Sequence, residues 1–119
     1  MNKNIALWVL QIAVAAMFVA AAVPKLAGAT MTVQMFDALG FGQWFRYVTA
    51  LLEIGGAVLL IVPALAVIGA LVLAIVMVGA ILAHMLVLGG SAVPAIVLLA
   101  ATLTIAWFRR AQTPSLARV

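Results

Sequence analysis

Two ionisable side chains, Glu53 and His84, stand inside long apolar runs of this sequence, and two cations, Lys25 and Arg46, stand at the ends of such runs. An ionisable group in an apolar segment is costly unless it is paired, so it marks either a site or a structural ion pair. A carboxylate and an imidazole together can relay a proton or orient a hydrogen-bonded ligand. Arg46, Thr49 and Glu53 recur at spacings of three and four, which puts them on one face of a helix. Two uses stay open for Glu53. It pairs with Lys25 or Arg46 to hold the helices together, or it forms a ligand or proton site with those cations at its rim. No catalytic residue can be named.

Other chemistries are excluded by what the chain lacks. Cysteine is absent, which removes thiolate nucleophiles, disulfide exchange, zinc-thiolate sites and Cys-ligated clusters. No metal site is expected, because one His and one buried carboxylate fall short of the three or four ligands usually needed. A haem would need a second axial ligand beside His84, and Met77 and Met85 read better as space-filling side chains. No nucleophilic triad, Walker loop or dinucleotide fingerprint is present. The net charge of +4 is spread over single basic residues with no aromatic-basic surface, so nucleic acid is not an expected partner.

The elements that must position these residues follow from composition. Of 119 residues 70% are hydrophobic and 7% charged, with a mean hydropathy of +1.43. Eight charged side chains cannot cover a water-facing globule of this length, so lipid is expected to be the main solvent. The expected fold is all-α: a polytopic bundle of four transmembrane helices in one domain, with spans over about 5–23, 47–62, 65–88 and 93–108. The first span is roughly 28 Å long and just crosses a hydrocarbon core. It reads as a retained helix rather than a secretory signal, being longer than a signal core. Pro24 is expected to close it. Between the first two spans, Thr30 to Leu39 reads as a short amphipathic helix ended by Gly40 and Gly42. Pro63 makes a tight turn, as does Gly89-Gly90-Ser91. Small residues at helical spacing, Ala16 with Ala20, Ala70 with Ala74 and Gly79 with Ala83, would allow close helix approach, and such stripes also suit a second copy of the chain. Gln11, Thr102 and Thr104 read as structural, the threonines bonding their own backbone.

With four spans the termini share a side, which collects Lys3, Arg109, Arg110 and Arg118, against Lys25 and Arg46 opposite. The positive-inside rule puts both termini in the cytoplasm of a bacterial inner membrane. Trp8, Trp107 and Phe108 fall at the inner interface and Trp44, Phe45 and Tyr47 at the outer one. Glu53 then lies about 9 Å deep from the outer side and His84 about 6 Å. Both belong to one leaflet, and an outward-opening polar pocket is expected there, with Lys25 and Arg46 at the rim and Gln34 and Asp37 over it.

The order of Pro24-Lys25-Leu26, Leu39-Gly40 and Leu52-Glu53-Ile54-Gly55-Gly56-Ala57, followed by the Pro63 turn and a histidine near the outer end of the third span, resembles the DoxX-like family across nearly the whole chain. Ala22-Val23 depart from its pattern where a glycine commonly precedes the lysine, and Gln43 follows Gly42 in place of a Gly-x-Pro turn. The resemblance implies a four-helix membrane fold. The family name derives from a subunit of a thiosulfate:quinone oxidoreductase, and the resemblance implies a fold better than a function.

The leading expectation is a non-enzymatic accessory or ligand-binding membrane subunit, holding a small apolar ligand such as a quinone, or a partner protein, through Glu53, His84, Lys25 and Arg46. In it His84 donates to a quinone carbonyl and Glu53 orients the imidazole or relays a proton. The alternatives are a small proton-coupled transporter and a purely structural membrane partner.

Overall fold

The structure, a computed structural model, describes residues 3–110, with Lys3 as backbone only. Arg118 and the side chain of Lys3 lie outside the described part. In chain order the elements are α1 (Lys3–Ala27), α2 (Thr30–Leu39), α3 (Trp44–Leu60), a 3-10 turn at Pro63–Leu65, α4 (Ala66–Ala83), a π-helical turn at His84–Leu88 and α5 (Val93–Arg109). The described residues are all-helical, with no strand among them.

Helix α1 does not stop at Pro24, contrary to the sequence expectation; it runs one turn further, to Ala27. Proline removes its own N–H and crowds the carbonyl four residues before it, which is tolerable so near the end of a helix if the exposed carbonyls find donors. They find them from elsewhere in the chain. Ala29 N–H and the Thr32 hydroxyl both donate to the Pro24 carbonyl, at 3.0 and 3.1 Å. The Arg46 guanidinium donates to the Lys25 carbonyl. The last turn of α1 is thus held by α2 and α3.

Helix α2 ends where Gly40 enters the left-handed region at φ 82 and donates its N–H to the Asp37 carbonyl, at 3.1 Å, a conformation that favours glycine. Helix α3 begins at Trp44, so Arg46 sits in its first turn rather than before it. Beyond Ala83 the helix widens: Gly89 N–H reaches back five residues to the His84 carbonyl at 2.9 Å, the spacing of a π-turn.

Helix α4 packs along both α3 and α5, α1 packs along α3, and a lighter α1–α5 contact closes the ring. Phe18, Leu60, Leu73 and Ile105 are fully buried at its centre. Helices α3 and α4 cross closely. A Cβ on Gly69 would lie 2.6 Å from Leu60 N and 2.7 Å from the Gly56 carbonyl oxygen, so only glycine lets the two backbones come this close. Of the small-residue pairs read from the sequence, Ala70 and Ala74 are buried, while Ala16, Ala20 and Gly79 are exposed. Within the chain the close α3–α4 approach uses Gly69, which the sequence reading did not single out. Every third or fourth residue of a helix shares a face, but spacing alone does not say which face meets a neighbour.

The outside of the ring is apolar on every long helix, with Ile12, Leu51, Ile75 and Val97 all exposed. Two stretches, Asn4–Ala27 and Pro63–Leu88, are long and apolar enough to cross a membrane.

Candidate functional site

A cavity of about 680 Å³ lies between α2, α3, α4 and the π-turn, a size that suits a small ligand. Its walls are mainly apolar: Phe36 and Leu39 of α2, Phe45 and Leu52 of α3, and Ala80 and Ala83 of α4. Four polar residues, Lys25, Thr49, Glu53 and His84, also line it. The expected polar cover is not found. Gln34 and Asp37 are exposed and take no part in the lining, while Met35, Phe36 and Leu39 from the opposite face of α2 close over the cavity. Phe36 is buried and meets Phe45 edge-on, with ring centroids 6.0 Å apart. An amphipathic helix turns its apolar face inward, and here inward means over the cavity.

Glu53 is 2% exposed, and its Oε1 lies 2.9 Å from Lys25 Nζ. The approach is an ion contact more than a well-directed hydrogen bond, and that oxygen accepts no hydrogen bond of regular geometry. Lys25 Nζ also donates to the Ala21 carbonyl at 3.2 Å, so its ammonium spans the end of α1 and the middle of α3. A buried carboxylate of this kind needs a cation, and the structure pairs it with Lys25.

Arg46 is not that cation. It is buried, does not line the cavity, and spends its donors on the loop around it. Its Nε donates to Gln43 Oε1 at 2.8 Å, its Nη2 donates to the Tyr47 hydroxyl at 3.2 Å, and it lies 4.4 Å from the centroid of the Tyr47 ring. With its bond to the Lys25 carbonyl, Arg46 serves as the clamp between α1 and α3. Gln43 Nε2 in turn donates to the Val33 carbonyl at 3.0 Å, tying in α2. The Thr49 hydroxyl donates to the Phe45 carbonyl at 2.8 Å, within its own helix.

His84 Nδ1 is 2.9 Å from the Gly89 carbonyl oxygen. A carbonyl only accepts, so Nδ1 carries the proton and a neutral ring presents Nε2 as an acceptor. The π-turn's own backbone thus orients the imidazole, and in a neutral ring Nε2 is the acceptor.

A second polar cluster stands at the other end of the bundle. Gln11 is fully buried, donates from Nε2 to the Leu60 carbonyl at 2.7 Å, and accepts from Arg109 Nε at 2.8 Å. Arg109 Nη1 donates to Asn4 Oδ1 at 2.7 Å, and its guanidinium lies 5.4 Å from the centroid of the Trp8 ring. The sequence reading ended the fourth span at about 108, yet Arg109 is the last residue of α5 and only 3% exposed. Its position two residues after Trp107, still in helical register with Thr102 and Ile105, was the signal that it belongs to the helix. Thr102 and Thr104 bond carbonyls of their own helix, at 2.9 and 2.8 Å. No group of three or more potential metal ligands occurs among the described residues.

The model of the DoxX-like family matches residues 9–108. The chain belongs to the DoxX-like family. In this DoxX-like protein the matched region takes in Lys25, Arg46, Glu53 and His84, together with α2 and the whole cavity, and stops one residue short of Arg109. No curated protein and no solved structure matches the DoxX-like chain.

Proposed function

We propose that this DoxX-like protein is a four-span integral membrane subunit without catalytic activity of its own, and that it holds a small, flat, mainly apolar ligand, such as a quinone, in the cavity under α2. What carries the proposal is the convergence of Lys25, Glu53 and His84 on one mainly apolar cavity of about 680 Å³. A quinone headgroup needs that combination of apolar walls with a few polar contacts. The Lys25 ammonium supplies a donor for a quinone carbonyl. His84 Nε2 and Glu53 supply acceptors for the hydroxyls of the reduced form, so the site suits the quinol at least as well as the quinone.

The four-span reading is supported by helix length and by the surface. Helices α3 and α5 have 17 residues each, about 26 Å, which is the short end of what crosses a bilayer. They pack beside the two longer apolar segments, and all four present apolar side chains outward, a surface that suits lipid better than water. In this frame both termini face the cytoplasm of a bacterial inner membrane and the cavity lies in the outer leaflet.

The test is a thermal-shift comparison of wild type, Glu53→Gln and His84→Ala in detergent, with quinones, quinols and hydrophobic cations as probes. Stabilisation of wild type by quinones or quinols, weakened in both variants, is the expected result. Proton-driven uptake of a hydrophobic cation in proteoliposomes, abolished by Glu53→Gln, would instead favour a transporter. Loss of stability in the variants with no probe response would leave a structural ion pair.

A further inference from the structure

At the end of the ring opposite the cavity, Arg109 is 3% exposed and its guanidinium is satisfied by described residues at two of its three nitrogens. Nε is taken by Gln11 and Nη1 by Asn4. Nη2 is buried with no acceptor among the described residues. Both partners are neutral amides, so the charge has no counter-charge in contact with it among the described residues.

The sequence has no acidic side chain to spare for it. Its two acidic residues are Asp37 and Glu53. Asp37 is on α2, over the cavity end. Glu53 is taken by Lys25 and lies seven residues, about 10 Å, along α3 from Leu60, whose carbonyl marks the Gln11 cluster. A second cation, Arg110, stands next to Arg109, exposed, with its guanidinium 3.8 Å from the centroid of the Trp107 ring. A buried cation with an unpaired donor is costly, and the missing partner must carry negative charge and an acceptor oxygen.

We infer that Arg109 anchors an oxyanion site at this end of the bundle, whose occupant is the phosphate of a net-anionic phospholipid. A guanidinium held at Nε and Nη1 offers a fixed N–H to a phosphate oxygen. A buried arginine with no acidic side chain beside it favours a headgroup that brings a net negative charge over one, such as phosphocholine, that carries its own cation. Asn4, which holds Nη1, is exposed, so the headgroup arrives beside it, between the start of α1 and the end of α5. Exposed Trp107 beside the site suits the headgroup level of a bilayer. The membrane reading above enters only as the source of the phosphate. The test touches none of Lys25, Glu53 or His84, so the two proposals fail separately.

The experiment measures retention of phosphatidylglycerol and phosphatidylcholine on the full chain in neutral detergent by native mass spectrometry, with thermal shifts by inorganic phosphate in parallel. Wild type and Arg110→Gln are expected to prefer phosphatidylglycerol by about tenfold, and Arg109→Gln to lose the preference. Where Arg109→Gln does not fold, Gln11→Glu serves, because it supplies an internal carboxylate to Arg109 and should remove the preference equally. An Arg109-dependent shift by inorganic phosphate alone would keep the oxyanion site and assign it to a free anion. No preference in wild type, a preference that survives both Arg109→Gln and Gln11→Glu, or one that vanishes in Arg110→Gln would overturn the inference.

Discussion

Arg46 donates to the main-chain carbonyl of Lys25 while the Lys25 side chain reaches the other way, to within 2.9 Å of Glu53 Oε1. One arginine thereby fixes the end of α1 against the start of α3, and the lysine it holds supplies the charge that the cavity carboxylate needs. Removing the clamp and removing the pair should have different consequences.

For the pair, Lys25→Met should destabilise by about 3 kcal/mol, because it leaves the Glu53 carboxylate buried without a cation. The double variant Lys25→Met/Glu53→Gln should recover at least half of that loss. Reversible unfolding in mixed micelles measures all three. Additive single effects would mean that the two groups are not coupled.

The clamp should matter for ligand response as well as stability. Arg46→Lys keeps a charge but cannot serve Gln43, Tyr47 and Lys25 together. We expect a lower melting temperature and a weaker response to cavity ligands even though Arg46 does not line the cavity. An unchanged response in a folded Arg46→Lys would show that the α1–α3 junction does not shape the site.

At the α3–α4 crossing, Gly69→Ala drives a Cβ into backbone atoms of Leu60 and Gly56 that cannot move independently of their helix. A loss of about 3 kcal/mol or failure to fold is expected. Gly55→Ala and Gly79→Ala meet nothing within 4 Å and should change stability by less than about 1 kcal/mol. Melting temperatures of the three variants side by side check this.

Filling the cavity should separate binding from folding. Ala83→Phe places a ring in the cavity beside His84 and should abolish any stabilisation by quinones or quinols while the protein remains folded. A full ligand response in this variant would move the site elsewhere. The complementary change, Phe36→Ala, removes a buried ring from the cover of the cavity and should lower stability by about 3 kcal/mol.

The orientation of the chain is open to direct measurement because cysteine is absent. Single cysteines at Gln34 and Ser91 should react with an impermeant maleimide added to intact spheroplasts, and one at Ala64 should react only after permeabilisation. The reverse pattern would invert the topology and put the Glu53 cavity in the inner leaflet.

The sequence by itself determined the all-helical class, the short helix from Thr30 to Leu39 with its glycine stop, the turns at Pro63 and Gly89, and the family. It also singled out Lys25, Glu53 and His84, which do line one cavity. Those features depend on the local chain: hydropathy sets where helices run, glycine and proline set where they end, and a rare charge in an apolar run stands out wherever it lies. Tertiary structure was needed to show that Lys25 and not Arg46 pairs with Glu53, that α1 continues past Pro24, that Gly56 and Gly69 let α3 and α4 meet backbone to backbone, and that Arg109 is buried against Gln11, 98 positions away. Each of these depends on how far one helix is rotated and shifted against another. That is set by the packing of side chains distant in sequence, and a helical period fixes which residues share a face without fixing what that face meets.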